Sequence, residues 1–339
     1  MKFPDRILLG HGGGGRLTRA LVTEGFLPAL ENPFLALLSD AAVLPPLPPG
    51  RPALTTDAFV VDPVLFPGGD LGTLSVCGTV NDLAMAGARP LWLTWAVILE
   101  EGLEGKVLEA ITRGAARAAA EAGVAVVAGD TKVVPRGKGD GAFAVTAGLG
   151  VVPPGRELGD HRVEPGDRLL VSGPVGDHGA AVLAARHGMS GSGLISDCAP
   201  LSDLVEVLLN SGAAVRTLHD PTRGGVATTC HEVAQRAGLR MVLEGACVPV
   251  SRETAAVAEL LGVDPLYLAC EGRLVAWVAA GNADAALAVL RSHPRGREAA
   301  CIGRVEESPA GAPAVVLRTP YGVDRLLDPV SASDLPRIC

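Results

Sequence analysis

Residues 91–128 constrain the fold more than any other stretch, because their apolar pattern changes from strand-like to helical and back. Leu91–Leu99 is a strongly apolar run of strand length, too short to span a bilayer. Glu104–Ala122 repeats its apolar residues at helical spacing, and Gly123 supplies a stop after it. Val124–Ala128 is again a short apolar strand. The pattern predicts a layer of helix packed on a sheet.

Composition and charge limit what the protein does. The 339 residues are 48% apolar and 19% charged, which predicts a globular chain long enough for two domains. A net charge of −8 argues against nucleic acid as a partner. Met1–Gly10 has no signal-peptide pattern, and no run is long enough to enter a membrane. The seven cysteines form no Cys-x-x-Cys pair, as expected in a reducing compartment, so we predict a cytoplasmic protein.

The second half repeats the alternation of strands and helices found in the first. Pro153-Pro154-Gly155 reads as a linker between the two halves. The chain is therefore predicted to hold an N-terminal domain at 1–153, a C-terminal α/β domain at 154–308, and a C-terminal segment with a flexible tail at 309–339. Two α+β halves fit this order better than one parallel sheet.

Three aspartates stand at the ends of predicted elements or beside glycine or asparagine: Asp57, Asp82 and Asp130. Carboxylates in such positions suit Mg²⁺, which takes oxygen ligands and keeps one or two carboxylates plus phosphates. Each aspartate taken alone is better explained as a helix cap or turn residue.

Two basic residues are candidates for contacts with phosphate or substrate. Lys132 follows Asp130 by two, in a chain that holds only four lysines; an exposed salt bridge explains it equally well. Arg223 precedes Gly224 and Gly225 at a predicted helix start, where free amides and the helix dipole favour phosphate. A simple capped turn accounts for the same residues.

His178, Glu271 and Cys339 complete the set of candidates. His178 and Glu271 lie in glycine-flanked loops, where each side chain is either structural or a proton acceptor. The sequence ends at Pro336-Arg337-Ile338-Cys339, and a thiol at the end of a chain is either incidental or a carrier of a covalent group.

With these motifs assembled, the whole chain resembles the HypE family of hydrogenase maturation proteins. The stretches that carry the resemblance are Thr55-Thr56-Asp57, Phe66-Pro67-Gly68-Gly69-Asp70, Gly78-Thr79-Val80-Asn81-Asp82-Leu83-Ala84-Met85, Gly129-Asp130-Thr131-Lys132, Gly176-Asp177-His178-Gly179, Asp220-Pro221-Thr222-Arg223-Gly224-Gly225 and Pro336-Arg337-Ile338-Cys339. The resemblance implies a PurM-like two-domain α+β fold, similar to aminoimidazole ribonucleotide synthetase. Its N-terminal domain would form a homodimer through its sheet.

The resemblance also implies an activity. A carbamoyl group, loaded on Cys339 by HypF, would be dehydrated with ATP to a thiocyanate, and its cyanide would pass to iron through a HypC–HypD complex. Glu271, ahead of His178, would accept the proton, while Lys132 and Arg223 would face developing charge. The residues implied to hold Mg²⁺ and nucleotide are Asp57, Asp82 and Asp130 for the metal, with Asn81, Thr131, Gly224 and Gly225 for the nucleotide.

One departure from the family pattern is Cys270, where asparagine is expected before Glu-Gly. Two other functions remain open on the sequence. The first is another ATP-using enzyme of the superfamily, of the selenophosphate synthetase or thiamine-phosphate kinase type, which would not need Cys339. The second is a non-catalytic carrier that is switched by nucleotide without coupled turnover.

Overall fold

The structure is a computed structural model that describes residues 1–189, 193–308, 314–319 and 321–329. The predicted cargo-bearing stretch Pro336–Cys339 lies outside these residues.

The N-terminal half is one sheet covered on one face by helices. Its first helical region contains α1 (Arg16–Ala20), a π-helical stretch (Leu21–Phe26) and α2 (Leu27–Leu30). The remaining elements are β1 (Arg51–Phe59), β2 (Leu65–Phe66), β3 (Gly69–Asp70), α3 (Leu71–Met85), β4 (Arg89–Glu100), α4 (Gly105–Ala122), β5 (Ala125–Val134) and β6 (Ala142–Val152).

The main sheet of this half has the strand order β1-β6-β4-β5. Only β4 and β5 are parallel neighbours, and the strand–helix–strand pattern of the sequence is the crossover that connects them. Strands β1 and β4 are both antiparallel to β6, which lies between them, and the chain crosses from one to the other through α3. Alternate side chains of each strand point to α3 and α4, while those between them form an open face. That open face carries apolar side chains, among them Leu54, which is 76% exposed.

The C-terminal half is built on a second, larger mixed sheet. Its elements are β7 (Arg168–Val171), α5 (Asp177–Arg186), α6 (Ser202–Asn210), β8 (Val215–His219), α7 (Gly225–Ala237), β9 (Arg240–Glu244), α8 (Arg252–Leu261), β10 (Val275–Val278), α9 (Ala283–Ser292), β11 (Ala300–Glu306), β12 (Ala314–Arg318) and β13 (Asp324–Leu326). The strand order is β13-β12-β9-β11-β7-β10-β8, and only β12 and β9 are parallel neighbours.

Helix α3 lies between the two halves, and this position accounts for its apolar sequence. All but one of its residues are buried, because it packs on β1, β6 and α4 on one side and on α6 of the second half on the other. A helix enclosed in this way is apolar all round and has no polar stripe. Helix α4 lies at the surface and keeps the amphipathic pattern from which the sequence predicts it.

The predicted α+β architecture in two halves is confirmed. Strand β6 ends at Val152, next to the predicted linker, and β12 and β13 join the second sheet although they lie beyond residue 308. Among the helices within the described residues, none has both the length and the apolar character needed to cross a bilayer.

Candidate active site

Two aspartates of the N-terminal domain meet where β1 lies against α3. The Thr79 hydroxyl donates to Asp57 Oδ2 at 3.2 Å, and the Thr55 hydroxyl donates to Asp82 Oδ2 at 2.7 Å. Burial and the neighbouring Asp82 raise the pKa of Asp57 to about 6, and burial raises the pKa of Asp82. The structure therefore brings together two of the three predicted metal ligands, Asp57 and Asp82.

The C-terminal domain adds two carboxyl groups from the opposite side of an interdomain cleft. Asp220 follows β8, and burial, with Asp82 and Asp57 nearby, raises its pKa to about 7. Glu271 precedes β10, is 2% exposed, and has a pKa raised well above its usual range by burial and by Asp220. The lining of the cleft consists of Asp57, Ala58, Phe59, Gly78, Asp82, Asp220, Thr222, Arg223 and Glu271.

The charge balance of this cleft suits a cation and a polyphosphate. Four acidic side chains line it, and Arg223 is the one basic side chain among the lining residues. Each raised pKa indicates that a negative charge on that carboxyl group is unfavourable in the cleft without a counterion. Within the described ranges, no three histidine, cysteine or acidic side chains are grouped closely enough to form a complete metal site. A pair of carboxylates that a bound phosphate would complete fits Mg²⁺ chemistry.

Glu271 is held by a dense set of buried contacts. Its backbone N–H donates to Asp197 Oδ1 at 2.9 Å, and the Asp197 side chain is fully buried. A Cβ on Gly272 would lie 1.8 Å from the Asp197 carbonyl oxygen, so only glycine permits this approach. The carbonyl of Glu271 accepts from the Asn81 side-chain amide at 3.2 Å. The loop is therefore fixed from both domains.

Asn81, predicted from the resemblance to contact nucleotide, is fully buried instead of facing the cleft. Its amide nitrogen also donates to the Ala199 carbonyl at 3.1 Å, and its oxygen accepts from the Leu201 N–H at 2.8 Å.

The structure does not bring Asp130, Thr131 and Lys132 to this cleft. Asp57 shares a cross-strand row with Thr146, Trp95 and Gly129, three strand spacings away, which is about 14 Å. Asp130 is the next residue along β5 and therefore points to the open face of the sheet. There it binds Lys132 Nζ at 2.7 Å, and this hydrogen bond lowers the pKa of Asp130. Within one chain, the predicted set of three aspartates is thus divided.

His178 is also absent from the cleft lining. It is fully buried near the start of α5, where its Nδ1 lies 2.8 Å from the Ser196 hydroxyl and its ring packs edge-on against Phe66. Of the two proton acceptors predicted from sequence, only Glu271 faces the cleft.

Gly224 and Gly225 form the start of α7 with positive φ angles of 82° and 60°. A Cβ on Gly225 would lie 2.5 Å from the Leu266 carbonyl oxygen and 2.6 Å from that of Leu268. The two glycines thus let the Arg223 turn approach the loop that leads into Glu271. They place Thr222 and Arg223 at the cleft and do not line it themselves.

Two acidic residues of the site were missed in the sequence. Asp220 lies in the motif before Arg223, and its position directly after a strand is the signal that could have identified it. Asp197 lies in a segment without periodicity, and nothing in the sequence pointed to it. Cys339 is outside the described residues, so its place relative to the cleft stays a prediction.

Both halves match the AIR synthase related protein family. Its N-terminal domain matches residues 38–152 and its C-terminal domain residues 164–316. The fold and the interdomain cleft therefore define a two-domain protein of this PurM-like class.

The chain is 48% identical to the protein named carbamoyl dehydratase HypE of Rhodobacter capsulatus, over 99% of this chain and 98% of that protein. It belongs to the HypE family, which confirms the resemblance noted in the sequence.

Solved structures agree. A crystal structure of the hydrogenase maturation protein HypE in complex with ATP is 44% identical, with a TM-score of 0.92 over 98% of this chain and 99% of that one. A chain in the crystal structure of a HypE–HypF complex is 43% identical, with a TM-score of 0.79 over 91% of this chain and 99% of that one.

Proposed function

We propose that this protein is an ATP-dependent carbamoyl dehydratase of hydrogenase maturation. Its substrate would be a thiocarbamate on Cys339, and its product the thiocyanate that supplies a cyanide ligand to the iron of [NiFe] hydrogenase. The observation that carries the proposal is the interdomain cleft with four acidic side chains, including buried Glu271, in a chain nearly half identical to a carbamoyl dehydratase. The same identity disfavours the selenophosphate synthetase and thiamine-phosphate kinase types.

The chemistry needs a good leaving group and a base. The carbamoyl oxygen takes the γ-phosphoryl group of ATP, and ADP departs with the electron pair of the broken P–O bond. One proton of the carbamoyl nitrogen passes to Glu271 and the other leaves on the phosphate, which departs with the electrons of the C–O bond and leaves S–C≡N. Glu271 is the proton acceptor in this proposal, because its raised pKa makes its carboxylate a stronger base than an exposed one.

The other cleft residues bind and orient. Asp57 and Asp82 are the proposed Mg²⁺ ligands, with Asp220 beside them, and Arg223 is placed to face phosphate. Bound Mg²⁺ would neutralise charge on the ATP phosphates. The burial of Glu271 limits the access of water to its end of the cleft, where hydrolysis would return the intermediate to the thiocarbamate.

The proposed partners are HypF as carbamoyl donor and a HypC–HypD complex as cyanide acceptor. A HypE–HypF complex has been solved for a similar chain, which supports the first of these. The second rests on family resemblance.

We also propose a homodimer that pairs through the open face of the N-terminal sheet. Leu54 is 76% and Val145 37% exposed there, an apolar face that a second copy would cover.

Asp130 and Lys132 lie on the same face, so pairing would bring them to a site shared between copies. Mixing inactive Asp82→Asn and Lys132→Ala variants should then restore part of the activity. A mixture as inactive as its components would contradict a shared site.

The proposed role of Glu271 is tested by the near-isosteric change Glu271→Gln. The variant should bind ATP with unchanged affinity yet form no thiocyanate from carbamoylated protein, as followed by intact mass. His178→Gln is the matched control, since it changes the competing candidate base and should leave thiocyanate formation in place. Normal thiocyanate formation by Glu271→Gln would remove this residue from the mechanism.

A further inference from the structure

Helix α3 holds two adjacent polar residues that face different partners. Asp82 points into the cleft toward Thr55 and Asp57, whereas Asn81 points into the C-terminal domain. The side chain of Asn81 is fully buried, and both of its polar atoms bond to backbone atoms of the C-terminal domain.

These contacts bind the two parts of the C-terminal domain that define the site of Glu271. One donor hydrogen of Asn81 goes to the Glu271 carbonyl at 3.2 Å and the other to the Ala199 carbonyl at 3.1 Å. Its oxygen takes the N–H of Leu201 at 2.8 Å. Since Asp197 holds the N–H of Glu271 from the same segment, Asn81 binds both the base loop and the segment that supports it.

We propose that Asn81 is a positioning residue that fixes Glu271 at the correct distance from the Asp57–Asp82 pair across the interdomain cleft. It acts through backbone atoms and touches no substrate. An asparagine is needed because this position requires two donors and one acceptor on a single short side chain. The inference rests on the proposed function, because it takes Glu271 as the proton acceptor.

The alternative role, a nucleotide contact, is disfavoured by the same geometry. A side chain with no exposed surface and both donors and acceptor already engaged has nothing left for a ligand. The nucleotide affinity of Asn81 variants should therefore change little, while the rate of dehydration falls.

Asn81→Asp is the sharpest variant, because it keeps the size and the acceptor but replaces the amide group that donates both hydrogen bonds with a carboxyl group. We expect a fall of at least tenfold in kcat for thiocyanate formation, with ATP affinity within threefold of wild type. The pH profile of kcat should also shift, since Glu271 would sit differently among the titratable groups that face it, which are Asp220, Asp197, Cys77 and Asp57. Because Asn81→Asp adds a carboxyl group of its own, the shift must also be present in Asn81→Ser, which adds none.

A matched control separates positioning from general interdomain stability. Glu206 joins the domains elsewhere, accepting from Arg156 at 3.0 Å and pairing with Arg89, without contact to the Glu271 loop. Glu206→Gln should lower the melting temperature and leave kcat and its pH profile in place. Equal loss of kcat in Glu206→Gln and Asn81→Asp would overturn the proposal.

Asn81→Ser keeps one donor, so its kcat should lie between those of wild type and Asn81→Asp. A value in this range would support the proposal. Wild-type kcat and pH profile in Asn81→Asp would refute it, as would failure of both Asn81 variants to fold, because the residue would then serve stability alone. Glu271→Gln run alongside distinguishes the two claims. Thiocyanate formation by Glu271→Gln would overturn the proposed function. An inactive Glu271→Gln variant beside a fully active Asn81→Asp variant would overturn only the positioning role of Asn81.

Discussion

Replacing Asp220 with asparagine should stabilise the metal-free protein at alkaline pH while reducing its activity. Burial and the neighbouring Asp82 and Asp57 raise the pKa of Asp220 from 3.8 to about 7. A carboxyl group with a raised pKa in the folded state stabilises the fold below its unfolded pKa and loses that contribution as pH rises to about 7. Above that pH the ionised Asp220 side chain destabilises the folded state, and a neutral asparagine at this position does not.

The size of this effect follows from the pKa. The difference between 3.8 and about 7 corresponds to at most about 4 kcal/mol, at 1.36 kcal/mol per pKa unit. The open side of the cleft admits solvent, so roughly half of this figure should remain. For a chain of this size that predicts a rise in Tm on the order of 5 °C at pH 8.

The assay is thermal unfolding of wild type and Asp220→Asn at pH 4 and pH 8, each with and without Mg²⁺. The advantage of the variant should be present at pH 8, vanish near pH 4, and narrow when Mg²⁺ stabilises the wild type. Asp160→Asn is the matched control of opposite sign: hydrogen bonds from His219 and Arg236 outweigh the effect of burial and lower the pKa of Asp160, so its loss should destabilise at pH 8. An Asp220→Asn variant no more stable than wild type at pH 8 would refute this account of the cleft.

Two other outcomes follow from the same geometry. Affinity for Mg²⁺ should rise at least tenfold between pH 5 and pH 7.5, because Asp57, with a pKa of about 6, must ionise to bind it; calorimetry showing a pH-independent affinity would contradict this. Gly225→Ala should cost on the order of 2–4 kcal/mol in urea unfolding, since its Cβ would meet the carbonyls of Leu266 and Leu268, whereas Gly238→Ala, in open space at the other end of α7, should cost about 1 kcal/mol.

The sequence predicted best where the periodicity of the chain is local. The prediction for helix α4 differs from the structure by only one residue at its start. It succeeded because an amphipathic surface helix shows helical spacing in its own sequence and because Gly123 ends it. Helix α3 begins after Asp70, whose side chain caps it by accepting from the Thr73 N–H, but its burial on all sides depends on the second domain and could not be read from the local pattern.

The arrangement of the site was harder to predict, because the order of strands in a sheet cannot be read from the sequence. Asp57, Asp82 and Asp130 look equivalent as aspartates at element ends, yet strand order places β5 three strands from β1, and alternation turns Asp130 to the other face. The placement of Asn81 away from the cleft could not be read from the sequence for the same reason, since adjacent residues on a helix point in different directions. Its partners, Ala199, Leu201 and Glu271, are remote in sequence and carry no shared pattern.

The most direct test of the proposed function is the mass of the peptide that ends at Cys339, measured on carbamoylated protein before and after addition of Mg²⁺ and ATP. The account predicts a peptide lighter by one water, with ADP formed in equal amount, and no such change in the Cys339→Ser variant. Cargo found on another of the seven cysteines, or ATP consumed without loss of water from Cys339, would contradict it.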